Sequence, residues 1–193
     1  MFNLYKNIYP ADWYIINDVF NNEEYKQLFY NLENIPFQKG AQGSDIDQYK
    51  DSHRRSNIKW IPKKGPWSWL YKKLSGIAQI ANKECWNFDL HSIVESIQYT
   101  EYSSQDKGHY GWHLDIGNGP PSLRKISITI QLSSPEEYEG GELEFNVGKE
   151  ILSSPKNKGT SIVFPSYLLH RVTPITKGTR KSLVLWVGGN QFR

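Results

Sequence analysis

With 193 residues, of which 38% are hydrophobic and 14% aromatic, the chain suits one domain with a substantial core and is too apolar for a disordered segment. Its single cysteine, Cys85, excludes an internal disulfide and fits a reducing compartment, so a cytoplasmic location is expected. A net charge of +3 is too small to argue for any partner, and there is neither a signal-peptide core nor a run of 18 apolar residues, so no membrane association is expected.

Asn21-Asn22-Glu23-Glu24 opens a helix, with a capping residue and an acidic first turn. Tyr25, Leu28, Phe29 and Leu32 follow at helical spacing, and Pro36 ends the element. Residues 38–57, rich in Gly, Gln, Asp and Ser, read as a polar loop long enough to act as a mobile flap. A second helix starts at Gly65-Pro66, where proline suits the first turn, and its stripe Trp67, Leu70, Leu74, Ile77, Ala78 and Ala81 faces a core. The basic run over 50–73 and the acidic run over 136–150 read as solvated faces, the basic one also as a rim for an acidic or nucleic substrate.

From Ser92 onward the pattern becomes β. Ile126, Ile128, Ile130 and Leu132 alternate with Ser127, Thr129 and Gln131 at a strict period of two. Segments 92–102, 111–116, 142–146, 160–165, 168–174 and 180–187 are short strand candidates separated by turn residues. No repeat or linker divides the chain. The expected architecture is a single α+β, mostly β domain over 1–193, its helical part about 1–90 packed outside a β-sandwich or jelly-roll core of about 91–193.

Chemistry concentrates in the β half. His113 and Asp115 stand two residues apart, which in an extended strand puts both side chains on one face. His170 is a third candidate ligand. Two imidazoles and one carboxylate are the donor set of non-haem Fe(II) oxygenases, which leaves positions open for substrates; the spacing alone also admits Zn or Mn. In the last strand Arg180, Ser182, Val184 and Trp186 share a face. An inward arginine needs an anionic partner, and guanidinium suits a carboxylate, unless the residue simply reaches water at the strand end. His109 borders the same stretch, while His53 and His91 have no motif around them. Glu142 and Glu144 share a strand face and read as structural or rim residues.

These pieces, in order, resemble the 2-oxoglutarate and Fe(II)-dependent dioxygenases, in their prolyl-4-hydroxylase-like branch. The resemblance runs from about Ser92 to Trp186 through Ile97-Gln98-Tyr99-Thr100-Glu101-Tyr102, His113-Leu114-Asp115, Arg124-Lys125-Ile126-Ser127, Tyr138-Glu139-Gly140-Gly141-Glu142-Leu143, Phe164-Pro165, His170-Arg171-Val172 and Arg180. It implies a double-stranded β-helix, with His113, Asp115 and His170 as iron ligands and catalytic centre. It further implies Arg180 as the anchor for the distal carboxylate of 2-oxoglutarate, with Tyr102 beside that cosubstrate, O₂ as co-reactant and ascorbate as a candidate reductant. Tyr102 stands 11 residues before His113, a longer connection than is usual, which leaves Tyr99 as a competitor. Leu143 stands where some relatives carry a threonine that touches the cosubstrate, so more of that contact falls to Arg180. Trp186 matches an aromatic position near the substrate, and Tyr99 is the second substrate-side candidate.

The expected reaction couples oxidative decarboxylation of 2-oxoglutarate to hydroxylation of a C–H bond, in a prolyl residue of a peptide or protein or in a small molecule. Two alternatives stand beside it. A nucleic-acid dealkylating oxygenase would carry a second arginine six residues after Arg180, where Trp186 stands, so nucleic acid is disfavoured as a partner. A non-catalytic jelly-roll binding module would have little reason to keep the full set.

Overall fold

The structure, a computed structural model, describes residues 12–40 and 53–191. Strand β1 (Tyr14–Ile16) leads into helix α1 (Asn22–Leu32). The Asn21 side chain accepts from the Glu24 N–H, and the Glu24 carboxylate accepts from the Asn21 N–H, each at 2.9 Å. This reciprocal cap satisfies two of the donors that every helix start leaves open. After β2 (Gln38–Lys39), β3 (Arg54–Arg55) and β4 (Asn57–Ile61), a 3-10 turn at Gly65–Trp67 feeds α2 (Ser68–Cys85). The α2 face that the sequence marked is buried, and Tyr71 and Asn82 join it.

The remainder is β: β5 (Leu90–Ile93), β6 (Ile97–Ser103), β7 (His109–His113), β8 (Arg124–Gln131), β9 (Tyr138–Gly140), β10 (Leu143–Asn146), β11 (Ile151–Ser153), β12 (Ser161–Pro165), β13 (His170–Val172) and β14 (Ile175–Gly189). All pairings are antiparallel. The larger sheet has the order β1-β12-β8-β14-β6-β4-β2, with β5 and β9 also on β14; the smaller has the order β11-β10-β13-β7-β3.

Strict alternation on β8 and β14 divides the protein into two cores. Ile126, Ile128, Ile130, Leu183 and Leu185 point outward and pack with Leu70, Leu74 and Ala78 of α2. On the inner side Leu143, Phe145, Ile162, Phe164 and Val172 pack together between the sheets, with the Phe145 and Phe164 rings edge-on at 4.9 Å. Mostly β, with helices outside a two-sheet jelly roll, is the architecture the sequence led us to expect. Among the described residues no helix is long and apolar enough to cross a membrane.

Three expectations need correction. The segment 38–57 is not simply a polar loop: Gln38 pairs with Ile58 and Arg54 with Tyr110, so its two ends are strands. Composition misled because Arg54 looks like a surface residue but is buried, donating to Ser56 and Gln98 and lying 4.6 Å over the Tyr110 ring. The middle of the expected flap, 41–52, lies outside the described residues. Next, the strand expected over 111–116 ends at His113, because the Asp115 and Ile116 N–H groups turn to the Ser166 carbonyl. Lastly, the basic run does not make a continuous rim. Lys59 is buried on the Leu32 carbonyl, Lys63 reaches the Ile93 carbonyl, and Lys73 pairs with Glu24.

Candidate active site

Strand β7 ends on His113 and β13 begins on His170, and the two residues are direct partners across the ladder. Asp115, just past the end of β7, is pulled inward by its N–H bond to the Ser166 carbonyl, 2.9 Å. One ligand atom from each of the three lies within 4.8 Å of the others, and all three residues are buried. Asp115 Oδ1 is 3.8 Å from His113 Nε2, and Oδ2 is 3.7 Å from His170 Nε2. The grouping is the one drawn from the sequence, but the i, i+2 argument supplied only part of it, since the strand stops before Asp115.

The surroundings set the protonation states. The Nδ1 atoms of His113 and His170 each lie 2.8 Å from a backbone carbonyl, of Gly111 and Leu168 respectively. A carbonyl only accepts, so Nδ1 donates in each ring and Nε2 is the atom turned to the other ligands. Burial pushes the His113 pKa down to about 3, with help from the neighbouring His170. Burial alone would raise the Asp115 carboxyl. The two imidazoles, the Ser127 hydroxyl and the nearby Arg124 outweigh it and hold the group below the usual carboxylate range. Neutral imidazoles and an ionised carboxylate are the forms that bind a divalent cation.

Ser127 and Arg124 are site residues whose roles were not read from the sequence. The Ser127 hydroxyl donates to Asp115 Oδ2 at 2.6 Å and contacts the Ser166 hydroxyl at 3.0 Å. Arg124 donates to the Asp115 carbonyl at 2.9 Å and to both Glu95 oxygens at 2.6 and 2.9 Å. Its guanidinium lies 3.9 Å over the Trp186 ring. The signal was present for Ser127, a small polar residue on the inward phase of an otherwise Ile-rich strand. Ser127→Ala is expected to weaken metal binding by about 10–100-fold, the usual cost of losing a group that orients a ligand. A competition titration against a chromophoric chelator reads it.

The triad stands in a cavity of about 860 Å³ that also takes in Tyr102, Arg180 and Trp186. Arg180 and Tyr102 are paired across β14 and β6, with the guanidinium 5.7 Å from the Tyr102 ring centre. Arg180 is 1% exposed, yet its Nε and Nη2 have no hydrogen-bond partner among the described residues. A strand-end arginine reaching water is thereby excluded. Trp186 is buried with its indole N–H unpaired among the described residues.

Tyr99 is the one named candidate that the structure removes from the cavity. It lies on the opposite face of β6 from Tyr102, packs in the helix-side core and donates its hydroxyl to Glu101 at 2.5 Å. The reason is parity: residues three apart on a strand face opposite ways. Glu142 and Glu144 pair with Lys156 and Arg171, as rim residues would. His109 bonds the Lys107 carbonyl, His53 packs edge-on to Tyr110 and His91 lies beside Asp89; none joins the triad.

Because folding depresses the His113 pKa from 6.5 to about 3, the unfolded chain takes up a proton there that the folded protein refuses. Stability of the metal-free protein is therefore full above pH 6.5 and falls as pH drops from 6.5 towards 3. Between pH 7 and 5 the expected loss from this group is on the order of 1–2 kcal/mol. Urea unfolding at the two pH values measures it, and His113→Gln should flatten the slope.

A jelly roll whose cavity holds two imidazoles, a carboxylate and a buried guanidinium carries the donor set that non-haem metal oxygenases use and a cation suited to a carboxylate. Comparison with known proteins agrees. Residues 97–188 match the 2OG-Fe(II) oxygenase superfamily. A PKHD-type hydroxylase of Crocosphaera subtropica is 40% identical over 97 residues, 49% of this chain and 43% of that protein. Another, of Prochlorococcus marinus, is 27% identical over 176 residues, 90% of this chain and 77% of that protein. The chain thus spans less than half the length of the relatives it matches at about 40% identity.

Two solved structures share the fold. A Trichoplax adhaerens prolyl hydroxylase in complex with a peptide of the hypoxia inducible factor oxygen degradation domain has a TM-score of 0.73 at 16% identity, covering 92% of this chain and 83% of that one. A Pseudomonas putida prolyl-4-hydroxylase has a TM-score of 0.71 at 16% identity, covering 92% and 93%. The superfamily implies Fe(II), 2-oxoglutarate and O₂, and the donor set and the unpaired guanidinium found here fit a ferrous ion and a dicarboxylic acid.

Proposed function

We propose that this chain is an Fe(II)- and 2-oxoglutarate-dependent dioxygenase that hydroxylates a substrate C–H, in a prolyl residue of a peptide or protein. We assign the metal to His113, Asp115 and His170, and the distal carboxylate of 2-oxoglutarate to Arg180, with Tyr102 beside it. The observation that carries the reading is the buried Arg180, whose Nε and Nη2 lack a partner among the described residues, in the same cavity as a triad of two imidazoles and a carboxylate. When bound, the ferrous ion supplies the chemistry of O₂ activation coupled to decarboxylation of 2-oxoglutarate.

The protein's own share is binding, orientation and exclusion. His113 and His170 turn Nε2 to the other ligands because backbone carbonyls hold their Nδ1 atoms. Ser127 and Arg124 hold Asp115 from its side chain and its carbonyl. Trp186, held under Arg124, is an aromatic residue in the cavity lining, a surface that suits a prolyl ring. Support for a peptidyl substrate comes from the relatives, whose hydroxylase and prolyl hydroxylase names describe those proteins. We also assign residues 1–193 to one domain, since α2 and β8 share a core.

Anaerobic addition of Fe(II) and then 2-oxoglutarate should raise a weak visible charge-transfer band, absent from His113→Ala and Arg180→Ala. Absence of the band in the unaltered protein would refute the assignment. Turnover on proline-containing peptides, against methylated oligonucleotides, then decides the substrate class.

A further inference from the structure

Beside Arg180 stands a second buried polar group that the reading above leaves unused. Tyr138 opens β9, is 3% exposed, and pairs in register with Gly178, two residues before Arg180 on β14. The Tyr138 and Arg180 side chains converge on Gly141. A Cβ placed there would stand 3.2 Å from Arg180 Cδ and 3.3 Å from the Tyr138 ring. Gly141 also holds a φ of +62°, which L side chains seldom adopt, and the Ile175 side chain packs into the same corner, against that Cβ position, so only glycine fits there.

The Tyr138 phenol and the Arg180 guanidinium face each other, and neither the hydroxyl nor Arg180 Nε and Nη2 bonds a third group among the described residues. Two buried polar side chains that face each other and reach no other group call for a shared partner. The other nearby cation is already engaged: Lys156 lies 4.4 Å over the Tyr138 ring but donates to Glu142 and to the Gly140 carbonyl. A phenol O–H and a guanidinium side by side match one carboxylate, which accepts from both. Leu143, which lines the same cavity, offers no hydroxyl for that purpose.

We propose that Tyr138 donates its hydroxyl to the carboxylate that Arg180 binds, and so sets the preference for a dicarboxylic over a monocarboxylic 2-oxo acid. This rests on the 2-oxoglutarate reading above. The test uses the Mn(II)-loaded protein, which turns nothing over, and calorimetric titration with 2-oxoglutarate and with 2-oxopentanoate, which has the same chain length but no distal carboxylate.

Tyr138→Phe keeps the ring and removes only the hydroxyl. It should weaken 2-oxoglutarate binding about 10-fold or more, the range for a hydrogen bond to a charged group, and leave 2-oxopentanoate unchanged. A Tyr138→Phe protein that keeps the wild-type preference overturns the proposal alone. If the wild-type protein shows no preference for 2-oxoglutarate, the cosubstrate reading fails and takes this proposal with it. Equal loss for both acids means that the hydroxyl only supports packing, which also overturns it.

Discussion

His170→Ala is expected to lower Fe(II) affinity by well over the about 10–100-fold that losing an orienting neighbour costs, and to abolish turnover. A three-ligand site stripped of one imidazole keeps only His113 and Asp115, and the rings packed against His170, Phe145 and Phe164, offer no donor. The ring centres of those residues lie 5.9 and 4.8 Å from that of His170, and among the described residues no other His, Cys, Asp or Glu joins the ligand group to replace the missing nitrogen. Chelator competition should therefore rank the unaltered protein first, Ser127→Ala second and His170→Ala last. His170→Gln, which restores a polar side chain of similar reach, separates ligand loss from loss of packing between the sheets. An affinity for Fe(II) within about 10-fold of the original in His170→Ala would remove the metal site from the account.

How much of this could be read in the chain depends on which interactions are local. The α1 cap and the α2 stripe were legible, because an Asn21–Glu24 box and an i, i+3, i+4 pattern are contained within one or two turns. The inward face of β14 was legible too: Arg180, Ser182, Val184 and Trp186 all line the cavity. Position along the chain could not separate Tyr99 from Tyr102, since either spacing to His113 is plausible until the strand's phase is fixed by Gln98 and Thr100 facing inward. Nor could it give Asp115 its place. That depends on the Ser166 carbonyl and the Ser127 hydroxyl, on elements 51 and 12 residues away that meet only when β8 and β12 pair. Arg54 shows the same limit from the other side. A basic residue in a polar stretch is taken as solvent-facing until a partner such as Gln98, 44 positions on, is brought beside it.

Arg180→Leu is expected to stabilise the ligand-free protein while destroying its response to 2-oxoglutarate. In the free protein Arg180 is 1% exposed, and its Nε and Nη2 are unpaired among the described residues, with the Tyr102 ring 5.7 Å away as a weak offset. Replacing poorly compensated buried charge with an apolar side chain of similar volume commonly gains about 1–4 kcal/mol. In a domain of this size each kcal/mol moves the melting midpoint by about 2–4 °C. Ligand acts in the opposite sense. Binding to the folded state alone adds RT ln(1 + [L]/Kd), about 2.7 kcal/mol at 100 times Kd, and the variant forgoes it because a buried carboxylate left without its cation costs about 3–5 kcal/mol. The two melting curves should therefore cross: Arg180→Leu melts higher without 2-oxoglutarate, and the unaltered protein melts higher with metal and saturating 2-oxoglutarate. A variant that melts lower when ligand-free and still gains stability from 2-oxoglutarate would show that Arg180 is a structural residue, and that the cosubstrate is held elsewhere in the cavity.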